Sequence, residues 1–200
     1  EVLGMADPIE MMKKAVVRKN VADTNPLDFG KLPPQARDLE EAVLGAVMIE
    51  QDAINDVIDI LKDETFYVDA HQRIWRAIRM LYQSQIPVDL LTVTEQLKKN
   101  GDLDSAGGPF YIAQLTNKVG SAANVEYHAR IMAEKFIQRQ LISSSTEVIK
   151  EAYEDTTDVF ELLDKAEKNV FSIAENNLKR QSEDISSLLL TELRDLDTRM

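Results

Sequence analysis

Hydrophobic positions recur at helical spacing in block after block of this chain, and glycine, proline or short polar runs separate the blocks. In LPPQARDLEEAVLGAVMIE, Pro33 and Pro34 stop any preceding helix, and Leu39, Val43, Ala46 and Val47 share one face, which predicts a helix from about Ala36. Gly45 inside it costs roughly 1 kcal/mol against alanine, so another helix is expected to pass close there. QDAINDVIDILKD repeats the helical spacing with Ile54, Val57, Ile58 and Leu61. The next block is patterned most strongly. After a cap expected at Asp69, residues His71, Ile74, Trp75, Ile78, Leu81 and Tyr82 form a wide apolar stripe, while Arg73, Arg76 and Arg79 point elsewhere. This predicts the core helix, with Trp75 in the core rather than serving as a stacking platform for a base. IPVDLLTVTEQLKKNG supplies another helix, capped at Asp89 or Thr92 and ended by Gly101, with Lys98 and Lys99 suiting the dipole of its last turn.

After Pro109, Phe110, Ile112, Leu115 and Val119 mark a short helix closed by Gly120. From Asn124 to Tyr153 there is no glycine or proline, and the apolar period implies one helix of about 28 residues, roughly 42 Å long. EDTTD interrupts it, Thr157 or Asp158 caps the next helix, and apolar positions from Val159 to Ile173 carry that helix to about Asn177. Two long helices joined by a short polar turn make an αα-hairpin. Its apolar residues, Ile131, Phe136, Phe160 and Leu163 among them, occupy more of each helix than one hairpin partner covers. A second chain packed on the hairpin is therefore expected, with packing on the chain's own head as the alternative. AENNLKRQSED reads as a polar linker into an amphipathic helix bearing Ile185, Leu188, Leu189, Leu193 and Leu196. That last helix, with no later domain to receive it, predicts truncation or docking on a partner. The expected fold is all-α: a flexible extension over 1–31, a small helical head over 32–123, the hairpin over 124–177, and a linker with its helix over 178–200.

Composition narrows the chemistry. Glycine and proline number 7 and 6, which favours helices, and the absence of cysteine excludes disulfides and thiolate metal sites. Only two histidines occur, His71 and His128, too far apart for a single-helix pair, and both read as helix-face residues. The net charge is −12, and acids outnumber bases 14 to 8 over 32–123 and 16 to 10 over 124–200, so no basic stripe is available to grip nucleic acid. No apolar run reaches membrane-span length and no signal peptide pattern opens the chain, so a soluble intracellular protein, or a piece of one, is expected.

The stretch NGDLDSAGGPFY holds three of the seven glycines and invites reading as a phosphate loop. It lacks the G-x-x-x-x-G-K-[ST] order, Pro109 offers no N–H, and Asp102 and Asp104 would repel an anion. It reads instead as the end of one helix and the start of the next, with Pro109 in the first turn. Ser143, Ser144 and Ser145 sit mid-helix with no nucleophile turn. The acid pairs Glu40 with Glu41 and Glu161 with Asp164 read as solvated surface. No catalytic, cofactor-binding or metal-binding constellation is visible.

Four blocks, LPPQARDLEEAVLGAVMIE, ETFYVDAHQRIWRAIRMLYQSQIPVDLLTVTEQLKKNGDLDSAGGPFYIAQL, SAANVEYHARIMAEKFIQRQLI and DVFELLDKAEKNVFSIAE, follow in that order between Leu32 and Glu175. Together they strongly resemble the N-terminal domain of the bacterial replicative DNA helicases, the DnaB family. The resemblance implies a helical head, a hairpin and a linker helix ahead of a RecA-like ATPase domain that is missing here, together with a tail shorter than residues 1–31. It implies head-to-head and hairpin-to-hairpin pairing into a trimer of dimers, docking of the primase C-terminal helicase-binding domain, and a helicase loader acting elsewhere on the ring. By position, Tyr111 and Ile142 are the expected primase-facing residues, and core burial of both is the alternative. Leu188, Leu189 and Leu193 are expected to dock on a neighbouring ATPase domain. ATP and magnesium are expected for that domain, not for this chain, and a bacterial cytoplasmic location follows. An unrelated acidic helical adaptor or transcription-regulatory module is the competing reading.

Overall fold

The computed structural model describes residues 32–119 and 121–177. Expectations for 1–31, for Gly120, and for 178–200 with Leu188, Leu189 and Leu193 lie outside these residues. Among the described residues every regular element is helical. Helix α1 spans Arg37–Ile49, followed by 3-10 turns at Gln51–Ile54 and Asp63–Thr65. Then come α2 (Asp69–Gln83), α3 (Leu90–Asn100), α4 (Gly108–Asn117) and α5 (Val125–Ala152), and residues 159–177 are helical as α6.

The apolar period orients these helices as expected. Val43, Leu44, Val47, Ile74, Trp75 and Ile78 are buried, and the Trp75 ring lies 5.4 Å from that of Phe66. Gly45 is where α1 meets α4: a Cβ there would stand 2.7 Å from Val119 Cγ2 and collide with the Leu115 carbonyl oxygen. Helix α3 opens on a capping box. Asp89 Oδ1 accepts from the Leu91 and Thr92 N–H groups at 2.8 Å each, while Thr92 Oγ1 accepts from Asp89 N–H at 3.0 Å. Gly101, at φ +75°, then ends it in the left-handed conformation.

Two local expectations are corrected. The helix read across 51–63 is broken into a 3-10 turn and further turns, although Ile54, Val57 and Leu61 do face the core. Asp52, Asn55, Asp56 and Asp59 are poor helix formers, which compete for backbone groups, and core contact orients the segment without regularising it. Asp69 does not cap α2; Val68 holds that position with no side-chain bond, and Asp69 is the first helical residue, paired with Arg73 at 2.8 Å.

Helix α5 leaves the head along its length. Val125, Ala129 and Met132 are buried in the core. Seven residues past Met132, Arg139 donates to the carbonyl oxygens of Pro34 (2.9 Å), Glu64 (3.3 Å) and Thr65 (2.7 Å), and its guanidinium lies over the rings of Tyr67 and Phe136. Beyond it, α6 folds back along α5. Asp158 Oδ1 caps α6 by accepting from Phe160 and Glu161 N–H at 2.8 and 3.2 Å, and Lys165 Nζ bridges Glu147 (2.8 Å) and Glu151 (2.5 Å) on α5.

Candidate functional site

The AGGPFY turn positions the first surface. Gly107 precedes α4 at φ +94°, and a Cβ on it would come within 2.7 Å of Tyr111 Cδ1. The missing side chain therefore supplies both the left-handed turn and the room for the Tyr111 ring. With Pro109 in the first helical turn, Phe110 projects outward, 83% exposed, and Tyr111 is half-buried.

The Tyr111 hydroxyl points inward. It lies 2.6 Å from His71 Nε2, with the two rings parallel to within 1° and their centroids 6.1 Å apart. His71 Nδ1 is 2.6 Å from Glu40 Oε2. Glu40 also accepts the backbone N–H groups of Tyr67 (Oε1, 2.6 Å) and Val68 (Oε2, 3.3 Å). Two backbone donors and the His71 ring nitrogen explain how a carboxyl group only 1% exposed is tolerated, since a polar group out of water must be hydrogen-bonded. On the outer side, Glu41 Oε1 is 3.4 Å from the Tyr111 oxygen, and Lys118 Nζ donates to Glu41 Oε2 at 2.6 Å. Burial first, then the Glu41 charge and its hydrogen bond, then the Glu40 charge, push the phenol up to about 12, so Tyr111 stays protonated at neutral pH.

This network corrects the reading of Glu40 with Glu41 as a solvated pair. Glu40 stands three and four positions before Val43 and Leu44, on the buried face of α1. The available signal was two polar residues, Glu40 and His71, each lying on an apolar stripe. His71 lies on the inward, apolar face of α2, on the stripe where the sequence places it, 1% exposed.

The second surface is the two-helix arm. Ile131 and Phe136 are half-buried on the head-proximal part of α5, whereas Phe160, 78% exposed, and Leu163 are bare on α6. Ile142 is also exposed, on the outer half of α5. Val159, Val170 and Phe171 extend the bare set, while Leu162, Ala166 and Ile173 are half-buried on a second face of the same helix. Tyr111 and Ile142 thus sit on different elements, one tied into the head and one on the arm. Among the described residues no group of His, Asp and Glu could hold a metal ion, and no helix is long and apolar enough to cross a membrane.

Fold and surface together define an all-helical module of head and arm, with apolar side chains left bare on the arm. Its residues 32–134 match the DnaB-like helicase N terminal domain, and the chain belongs to that family. Over 194 residues it is 42% identical to the replicative DNA helicase DnaB of Rhodothermus marinus, covering 96% of this chain and 20% of that protein. Over 172 residues it is 37% identical to the replicative DNA helicase DnaB of Mycobacterium leprae, covering 85% of this chain and 28% of that protein. The chain therefore spans less than a third of either relative.

Among solved structures it resembles the N-terminal domain of DnaB helicase from Mycobacterium tuberculosis at 37% identity and a TM-score of 0.67, covering 70% of this chain and 99% of that one. It also resembles, in fold alone at 23% identity and a TM-score of 0.58, a DnaB-like replicative helicase described with its interactions with primase, covering 76% of this chain and 35% of that one. Family membership sets aside the unrelated acidic adaptor.

Proposed function

We propose that this chain is the non-catalytic assembly and primase-docking part of an ATP-dependent replicative DNA helicase of the bacterial cytoplasm. The observation that carries the reading is the stripe of Val159, Phe160, Leu163, Val170 and Phe171, bare on α6. Burying a leucine or phenylalanine contributes about 1.5–3 kcal/mol, so pairing this arm with that of a second copy is favourable, and such pairs fit a ring of three dimers. Tyr111 and Ile142 are the residues assigned to the primase C-terminal helicase-binding domain. ATP and magnesium, in this reading, belong to a RecA-like domain of the whole protein, on whose neighbouring copy Leu188, Leu189 and Leu193 dock. The helicase loader is a partner of that whole protein, and duplex unwinding is its activity.

Analytical sedimentation of the 200-residue chain, with and without the primase domain, tests both halves. Expected are species at multiples of 22.6 kDa, a shift to monomer in Phe160→Ser with Leu163→Ser, a complex with the primase domain, and a weaker complex for Tyr111→Ala. A strict monomer at high concentration overturns the arm pairing. Absence of a primase complex overturns docking, and wild-type binding by Tyr111→Ala removes that residue from it.

A further inference from the structure

The Tyr111 hydroxyl has one proton and two acceptors in reach, His71 Nε2 at 2.6 Å and Glu41 Oε1 at 3.4 Å. The first is a full hydrogen bond and the second lies beyond the ordinary O–H···O range of about 2.5–3.0 Å. A proton given to Nε2 requires that nitrogen to carry none, which puts the imidazole proton on Nδ1, 2.6 Å from Glu40 Oε2. Glu40 suits that task because Tyr67 and Val68 N–H groups already anchor it. The opposite tautomer would set a nitrogen lone pair against a buried carboxylate. One arrangement of protons thus satisfies the whole line from α1 through α2 to α4. On the ring's other side, the bare Cα of Gly107 leaves space that any Cβ would fill.

We infer that His71, fixed by Glu40 as the Nδ1–H tautomer, is the positioning residue of Tyr111: it holds the ring over Gly107 and engages the hydroxyl inside the head. A partner arriving here then meets the ring and the exposed Phe110 beside it, not a phenol hydrogen bond. The part of this inference that concerns a partner rests on the primase-docking reading; the part that concerns the proton does not.

Imidazole nitrogen NMR shifts of the full chain at neutral pH read the proton directly. Expected for His71 are a pyrrole-type Nδ1 and a pyridine-type Nε2. An unprotonated Nδ1 in the wild type, or an imidazolium with two pyrrole-type nitrogens, overturns the proposal. Tyr111→Phe keeps the ring and removes its tether, and is expected to weaken binding of the primase C-terminal domain about fivefold, the worth of one net hydrogen bond. If Tyr111→Phe binds as the wild type while Tyr111→Ala does not, positioning is refuted and docking stands. If Tyr111→Ala also binds as the wild type, docking at this residue fails while the tautomer result still decides the proton.

Discussion

Replacing Gly45 by alanine sets two effects of opposite sign against each other. In an exposed helix the change stabilises by about 1 kcal/mol, because alanine gives up less backbone freedom on folding. Here the new Cβ meets the Leu115 carbonyl oxygen, the Leu115 carbonyl carbon at 3.0 Å and Val119 Cγ2 at 2.7 Å. A valine methyl can rotate away, but a backbone carbonyl can yield only if α4 moves as a body. That helix buries Ile112 and Leu115, so its displacement opens gaps in the core. Overpacking of this kind costs about 1–3 kcal/mol and commonly exceeds the propensity gain of about 1 kcal/mol, which leaves a net loss of up to about 2 kcal/mol. For a chain of this size each kcal/mol moves the midpoint by about 2–4 °C, so thermal unfolding followed by circular dichroism should show a fall of up to about 8 °C. Both proteins must be compared at one concentration, because assembly shifts midpoints by mass action. A midpoint raised by the substitution would mean that propensity alone governs the site, and the α1–α4 contact at Gly45 would be refuted.

Arg139→Ala removes a charged donor from three backbone carbonyls and a cation from two aromatic faces, and a loss of about 2–3 kcal/mol in urea unfolding is expected. Arg139→Lys should recover little of it, since an ammonium neither forks nor stacks, and full recovery would argue that only the charge matters. The raised Tyr111 group makes stability fall at alkaline pH. Its folded value of about 12 exceeds the unfolded value of about 10, so its contribution is complete below about pH 10 and is lost as pH rises from about 10 to about 12. The difference in stability between the wild type and Tyr111→Phe should therefore shrink across that window, and a constant difference would contradict the cause assigned to the shift.

Period and punctuation made most of the helices legible. Asp89, Gly101 and Asp158 are read from residue type because each acts on its own neighbours: a carboxylate bonds N–H groups two and three positions on, and a glycine turns left. The close approach at Gly45 was legible for a different reason, since a glycine inside a strong helical pattern has few other uses. The buried line from Glu40 to Tyr111 was not, because its contacts span 31 and 40 residues and no local pattern ties them. The break in the 51–63 block escaped for the reverse reason. Its apolar spacing is helical, but core contact alone satisfies that spacing, and the aspartates decide the backbone.

The same physics separates what folds this chain from what it offers to others. A single 28-residue helix, α5, runs from one regime into the other, with Arg139 just past its midpoint. On the head side, Val125, Ala129 and Met132 are covered and Arg139 is paired with backbone carbonyls. On the arm side, α6 keeps one face against α5 and turns Phe160, Leu163 and Phe171 outward, with Asp164 and Glu167 falling among them at helical spacing. A stripe meant for a permanent core would exclude those carboxylates, because each would have to be desolvated without a partner. The proposed pairing of two arms would take both phenylalanines out of water. In the proposed pairing, Asp164 and Glu167 would stay wet at the rim while the rings are buried, since interface cores favour aromatic side chains and rims favour polar ones. If the arms pair as proposed, truncating Phe160 and Leu163 acts on mass while leaving the core of the head intact, whereas changes at Gly45 or Arg139 act on folding itself.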